Sequence, residues 1–152
     1  MRIIEIVLVL LSVLFAIMKV IAVPGGVVLA ALSLFLLSLM YMIFGVALFN
    51  GVRFRRMFKA TSYQDISRSD VLLGVIYGLV LSLGIFSILF NLMQWGGGGF
   101  LRYALLVPLL TVVILSIFVS DAKSALRKNV PWRAVAILLL NLFFVVKYYL
   151  MF

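Results

Sequence analysis

"NLMQWGGGGF", Asn91 to Phe100, sets four consecutive glycines between two long apolar runs. Glycine loses more conformational freedom on folding than any other residue, so four in a row weaken any regular element. Between two apolar runs they have a use: a short reversal that joins neighbouring helices within a few residues. The flanking runs, about 71–93 and 100–120, are each long enough to cross a bilayer at about 1.5 Å per residue. Three more runs qualify, at about 3–22, 27–49 and 131–152. The sequence therefore predicts an all-α integral membrane protein. It reads as one transmembrane domain over 1–152, with five transmembrane helices arranged as two tandem helical hairpins plus a fifth helix.

Composition points the same way. The chain of 152 residues is 67% hydrophobic, with a mean hydropathy of +1.36. Soluble domains are about half apolar. A water-soluble fold of this length cannot bury the excess, so lipid must cover it. Thirteen Lys and Arg stand against four acids, a net charge of +9. The basic residues fall in short segments between apolar runs, which fits membrane topology rather than nucleic-acid binding. One set comprises Arg2, Arg53, Arg55, Arg56, Lys59, Arg68, Lys123, Arg127, Lys128 and Arg133. The opposite side carries only Lys19, Arg102 and Lys147. The positive-inside rule then puts the N-terminus inside and the C-terminus outside. Arg53, Arg55, Arg56 and Lys59 are interleaved with Phe54, Met57 and Phe58. Such a segment can lie on headgroups, and anionic lipids favour it by about 1 kcal/mol per basic residue. The first run is read as a retained helix rather than a signal peptide, because Glu5 interrupts the basic region and Lys19 the cleavage zone.

The chemistry available is narrow. There are no cysteines and no histidines, and the acids are Glu5, Asp65, Asp70 and Asp121 alone. Thiolate and imidazole catalysis and His/Cys metal ligation are therefore absent, and a paired-carboxylate site is not expected. No phosphate loop, dinucleotide fingerprint or nucleophile elbow occurs. The expectation is a protein that is not an enzyme and carries no cofactor or metal. Its partners are the lipid bilayer, including anionic lipids, and other membrane subunits or copies of itself.

Local signals place the boundaries. Pro24, Gly25 and Gly26 break the first long run, as Gly96, Gly97, Gly98 and Gly99 break the later one. Ser69 or Asp70 can cap the third helix, and Ser120 or Asp121 the segment after the fourth. Pro131 fits the first turn of the fifth helix. Pro108 lies within the fourth run and predicts a kink. Laying Lys19–Val28 over Asn91–Phe100 at an offset of 72 residues aligns Gly25 and Gly26 with Gly97 and Gly98. Leu11, Leu29, Leu34 and Leu37 then fall on Leu83, Leu101, Leu106 and Leu109. The pattern reads as an internal repeat, two helical hairpins in the same orientation.

The hairpins resemble the small two-span membrane subunit of the Bacteroidetes gliding-motility and type IX secretion motor. In that family a helix ends in a Phe-Lys-x-x-His-Trp-Pro-Gly type of turn. The first copy here matches it at Lys19, Pro24 and Gly25, the second at Phe90, Trp95 and Gly97. The resemblance covers the two hairpins and implies a bacterial inner-membrane protein of the same broad hairpin group. That family pairs its lysine with a carboxylate in the second helix. The runs 27–49 and 100–120 have no such acid, so the resemblance does not carry proton-driven torque.

Among polar residues, Lys19 is close enough to its helix end to snorkel, but an ionisable residue in a span is also a functional candidate. Glu5, one turn into the first helix near Arg2, is expected to be solvated. Asn91, Gln94 and Asn141 can hydrogen-bond across helices, and Gly74, Gly78 and Ser82 form a small-residue stripe for close helix approach. Lys147, Tyr148 and Tyr149 read as interface anchors. The functional expectation is a non-enzymatic subunit or scaffold of a membrane complex in the bacterial inner membrane. The alternative is a small oligomeric channel or transporter for a weakly charged solute or lipid. Convergence of Lys19, Asn91 and Asn141 on a water-accessible cavity would favour the second reading; bonding to backbone would favour the first.

Overall fold

The computed structural model of the chain describes residues 2–52, 66–118 and 125–151. The basic segment with Arg53, Arg55, Arg56 and Lys59 and the cap expected at Ser120 or Asp121 lie outside these residues. Helices run over Arg2–Val20 (α1), Gly26–Phe49 (α2), Arg68–Met93 (α3), Gly98–Ala104 (α4), Leu106–Phe118 (α5), Ala125–Asn129 (α6) and Pro131–Met151 (α7). Among the described residues there is no strand. Five helical stretches are long and apolar enough to cross a membrane, with α4 and α5 together forming the fourth.

The break between α4 and α5 is where Pro108 predicts it. Proline has no N–H for the carbonyl four residues earlier, here that of Ala104. The backbone bonds on either side survive, from Leu105 to the Leu101 carbonyl at 3.1 Å and from Leu109 to the Leu105 carbonyl at 3.0 Å. The helix is thus interrupted at one missing bond and continues. Pro131 opens α7, as its fixed φ favours. The start of α3 differs from expectation. Ser67 stands at its N-cap, and Ser69 and Asp70 lie within the first turn. The Ser67 and Ser69 hydroxyls bond each other at 2.7 Å instead of capping the helix.

The two glycine turns share one backbone design. Ala22 and Gln94 adopt left-handed φ of 56° and 58°, and Gly25 and Gly97 follow at 81° and 88°. Val23 N–H donates to the Met18 carbonyl at 2.9 Å, and Trp95 N–H to that of Phe90 at 3.0 Å. Gly26 N–H then reaches the Val23 carbonyl at 3.0 Å, and Gly98 N–H that of Trp95 at 3.2 Å. Each pair of equivalent residues is 72 apart. A helix closed by such a six-to-one bond, a left-handed residue and an immediate new helix need little side-chain volume at the turn. Only Gly96 and Gly97 of the four glycines belong to the turn; Gly98 and Gly99 already open α4.

Helices α2 and α3 form the centre. Gly45 and Gly78 let their backbones touch: a Cβ on Gly45 would lie 2.8 Å from the Gly78 Cα, and one on Gly78 would lie 2.7 Å from the Tyr41 carbonyl oxygen. Gly74 fits the same seam against Val46 and Asn50. Further along, the Ser38 and Ser82 hydroxyls are 2.8 Å apart, and Ser38 donates to the Ser82 carbonyl at 3.1 Å. With no hydrophobic force between helices in lipid, this closeness and these buried bonds hold the pair. Phe49, Tyr77, Leu81, Leu109, Leu126 and Val130 fill the core around it. Helix α7 packs on α3 and α5, while α1 packs chiefly on α2. Most of α1 stays uncovered, with Ile3, Ile6, Leu10, Val13 and Ile17 exposed. So large an apolar surface belongs in hydrocarbon.

Candidate functional site

Among the described residues, a buried polar cluster joins the starts of α1 and α7. The Arg133 guanidinium forms a bidentate ion pair with Glu5: Nε donates to Oε1 and Nη2 to Oε2. Its Nη1 donates to the Asn129 carbonyl, which the fold presents because α6 ends there, two residues before α7 begins. Tyr41 on α2 donates its hydroxyl to Glu5 Oε1 at 2.5 Å. The Asn129 amide in turn donates to the Phe49 carbonyl at 3.0 Å, tying α6 to the end of α2. Arg133 also lies 4.4 Å from the Trp132 ring centroid and 5.9 Å from that of Phe49. Both charges are about 97% buried.

This corrects two expectations. Glu5 is not solvated beside Arg2. It is buried, because Arg133 lies within the first turn of α7 and points at it. Arg102 is buried as well. Arg133 counted as a loop charge in the sequence, yet it is the third residue of α7. A basic residue two places after a helix-opening proline was the available signal, because arginine inside a span needs a partner.

At the other end of the bundle the polar groups serve helix ends. Lys19 Nζ donates to the Leu92 carbonyl in the last turn of α3. That satisfies an acceptor with no intrahelical partner, and it lets Lys19 bind protein rather than headgroup. Asn91 donates to the Ser87 carbonyl at 2.7 Å and the Gly98 carbonyl at 3.3 Å, bridging α3 to α4. Arg102 Nε donates back to Asn91 Oδ1 at 2.9 Å. Its Nη1 reaches the Phe144 carbonyl at 3.2 Å, and the Tyr148 ring centroid is 4.7 Å away. Gln94 stands exposed in the left-handed C-cap of α3, outside this network. Between the two ends, Asn141 is fully buried and donates to the Gly84 and Ile137 carbonyls at 3.2 and 2.9 Å, while its Oδ1 has no partner.

A cavity of about 630 Å³ runs between α1 and α7 over a floor of α2 and α3. Glu5, Tyr41, Trp132 and Arg133 border one end, and Val20, Leu92, Phe143 and Phe144 the other. Between them the lining is aliphatic, apart from the Ser12 hydroxyl, which is buried without a partner. Lys19, Asn91 and Asn141 do not line it. Among the described residues no group of His, Cys, Asp and Glu is arranged to hold a metal ion.

Comparison with protein-family models, with curated proteins and with solved structures finds no match for this chain.

Proposed function

We propose that this chain is a non-enzymatic subunit or scaffold of a membrane complex in the bacterial inner membrane, with its N-terminus inside and its C-terminus outside. The observation that carries the proposal is where the membrane-depth amides and the lysine direct their hydrogens. Lys19, Asn91 and Asn141 each donate to backbone carbonyls. Asn91 and Asn141 thereby join neighbouring helices, and Lys19 joins α1 to α3. The alternative, a small oligomeric channel or transporter for a weakly charged solute or lipid, needs such groups to face a shared aqueous space. The matched turns at Ala22–Gly25 and Gln94–Gly97 support descent from a duplicated hairpin. The resemblance to the two-span motor subunit supports the bacterial inner-membrane assignment.

The test is extraction of the tagged chain from native membranes into polymer-bounded lipid discs, followed by mass measurement of the intact particles. The expected result is a stoichiometric complex with a second membrane protein. Recovery of the chain alone, with solute flux in reconstituted vesicles, would replace the subunit reading by the transport reading.

A further inference from the structure

We infer that the cavity between α1 and α7 is a binding site for one acyl chain of an anionic membrane lipid, with the headgroup at the Glu5–Arg133 end. The inference stands apart from the subunit reading, since a lipid fits the cavity with or without a protein partner.

Shape and lining suit a hydrocarbon chain. The cavity follows α1 from Glu5 to Val20, about 22 Å at 1.5 Å per residue. A volume of about 630 Å³ is spread over that length, so the space is elongated along α1. Its volume falls within the range of about 300–1,000 Å³ typical of small-molecule sites.

Contacts at both ends keep the slot from collapsing. At one end the bidentate Glu5–Arg133 pair fixes the spacing of α1 and α7. At the other, Lys19 holds α1 to the last turn of α3. Apart from the Ser12 hydroxyl, the wall between them is aliphatic, and it is open along one side. In a bilayer the material that can enter from that side is lipid hydrocarbon.

Charge selects the headgroup. Glu5 and Arg133 neutralise each other, so the rim takes its sign from the neighbouring residues. Arg127 and Lys128 do not line the cavity, but both are exposed on the short helix that leads into α7, which contains no acid. Trp132, half-exposed at the same rim, borders the cavity and suits the headgroup level. An anionic headgroup on this side of the bundle is favoured by these cations, by about 1 kcal/mol each near a membrane surface.

The test uses tryptophan quenching. The chain has two tryptophans, Trp95 and Trp132, so Trp95→Phe leaves Trp132 as sole reporter. The full chain is placed in phosphatidylcholine vesicles containing increasing mole fractions of acyl-brominated phosphatidylglycerol or acyl-brominated phosphatidylcholine. Saturable quenching is expected, with half-saturation at a mole fraction at least three-fold lower for the anionic lipid. Ala16→Phe and Ala136→Phe, both on the cavity wall, should together abolish saturation while helicity is kept. Lys128→Gln with Arg127→Gln should remove the headgroup preference and leave chain binding. If the Phe variants misfold, Ala136→Val with native mass measurement of retained lipid replaces them, and less retained lipid is expected. Quenching that rises linearly and equally for both lipids, unchanged by filling, would mean annular contact only and overturn the proposal. Filling that dissociates an oligomer without altering quenching would overturn it too, by placing a second copy's helix in the cavity.

Discussion

Glu5→Gln leaves the Arg133 guanidinium buried with no counter-charge. Removing one partner of a buried pair typically costs about 3–5 kcal/mol, because the remaining charge keeps its full desolvation penalty. Glu5→Gln and Arg133→Met should each lower stability by that order in denaturing-detergent titrations of the folded chain. The double change Glu5→Leu with Arg133→Met should recover part of that loss, since neither charge then needs solvation, while the buried Tyr41 hydroxyl, left without its acceptor, keeps a cost of about 1–3 kcal/mol. Single losses that simply add in the double variant would show that the pair does not form. The sequence hid this pair for a simple reason: the two residues are 128 positions apart, and each has a bland local reading, one as a helix-start acid and the other as a loop cation. Tyr41 was hidden in the same way, being one more aromatic in an apolar run until α2 sets its hydroxyl 2.5 Å from Glu5. Lys19 was legible as a candidate from its depth alone, but its acceptor at Leu92 depends on how α1 and α3 end side by side.

Helix α2 is held to α3 by the absence of side chains, and α1 is held to the bundle by polar contacts at its ends. These two elements should fail differently. Gly78→Ala places a methyl against the Tyr41 carbonyl and the Gly45 backbone. Backbone cannot yield as a flexible side chain does, so an overpacking cost of about 1–3 kcal/mol is expected in the same detergent titration. An unchanged midpoint would show that the seam is looser than these distances. Lys19→Met removes only the tie to α3. Hydrogen exchange should then speed up in the last turns of α1, with α2 and α3 unchanged, because locally held segments open below the global free energy. Uniform acceleration along all the helices would contradict that. The Gly74, Gly78 and Ser82 stripe was readable from spacing, but its partner was not. Gly45 is one small residue among many apolar ones in α2, and lipid-facing and protein-facing positions are alike in hydrophobicity, so periodicity does not mark the buried face.

Across the whole molecule, length and apolar content suffice for the helices, because a span must satisfy all its backbone bonds internally and persist for about 20 residues. That is why five stretches stand out while their packing order does not. The contacts place the starts of α1 and α7 together through Glu5 and Arg133. They place the ends of α1 and α3 together through Lys19 and Leu92. At the Glu5 end the short helix α6 carries Arg127 and Lys128, and basic residues favour the cytoplasmic side. The chain contains no cysteine, so a single introduced thiol reports one position without interference. Gly96→Cys lies in the turn between α3 and α4, where a side chain meets open space, and Lys128→Cys lies exposed at the opposite end. A membrane-impermeant maleimide should label Gly96→Cys in intact cells and Lys128→Cys only after the membrane is opened, each by at least about five-fold over the other condition or variant. The reverse pattern would invert the orientation, leave the bundle intact, and move the proposed lipid headgroup to the outer leaflet. Labelling of both from the same side would mean that an odd number of spans does not separate them, which is incompatible with α4 and α5 crossing the bilayer as one interrupted helix.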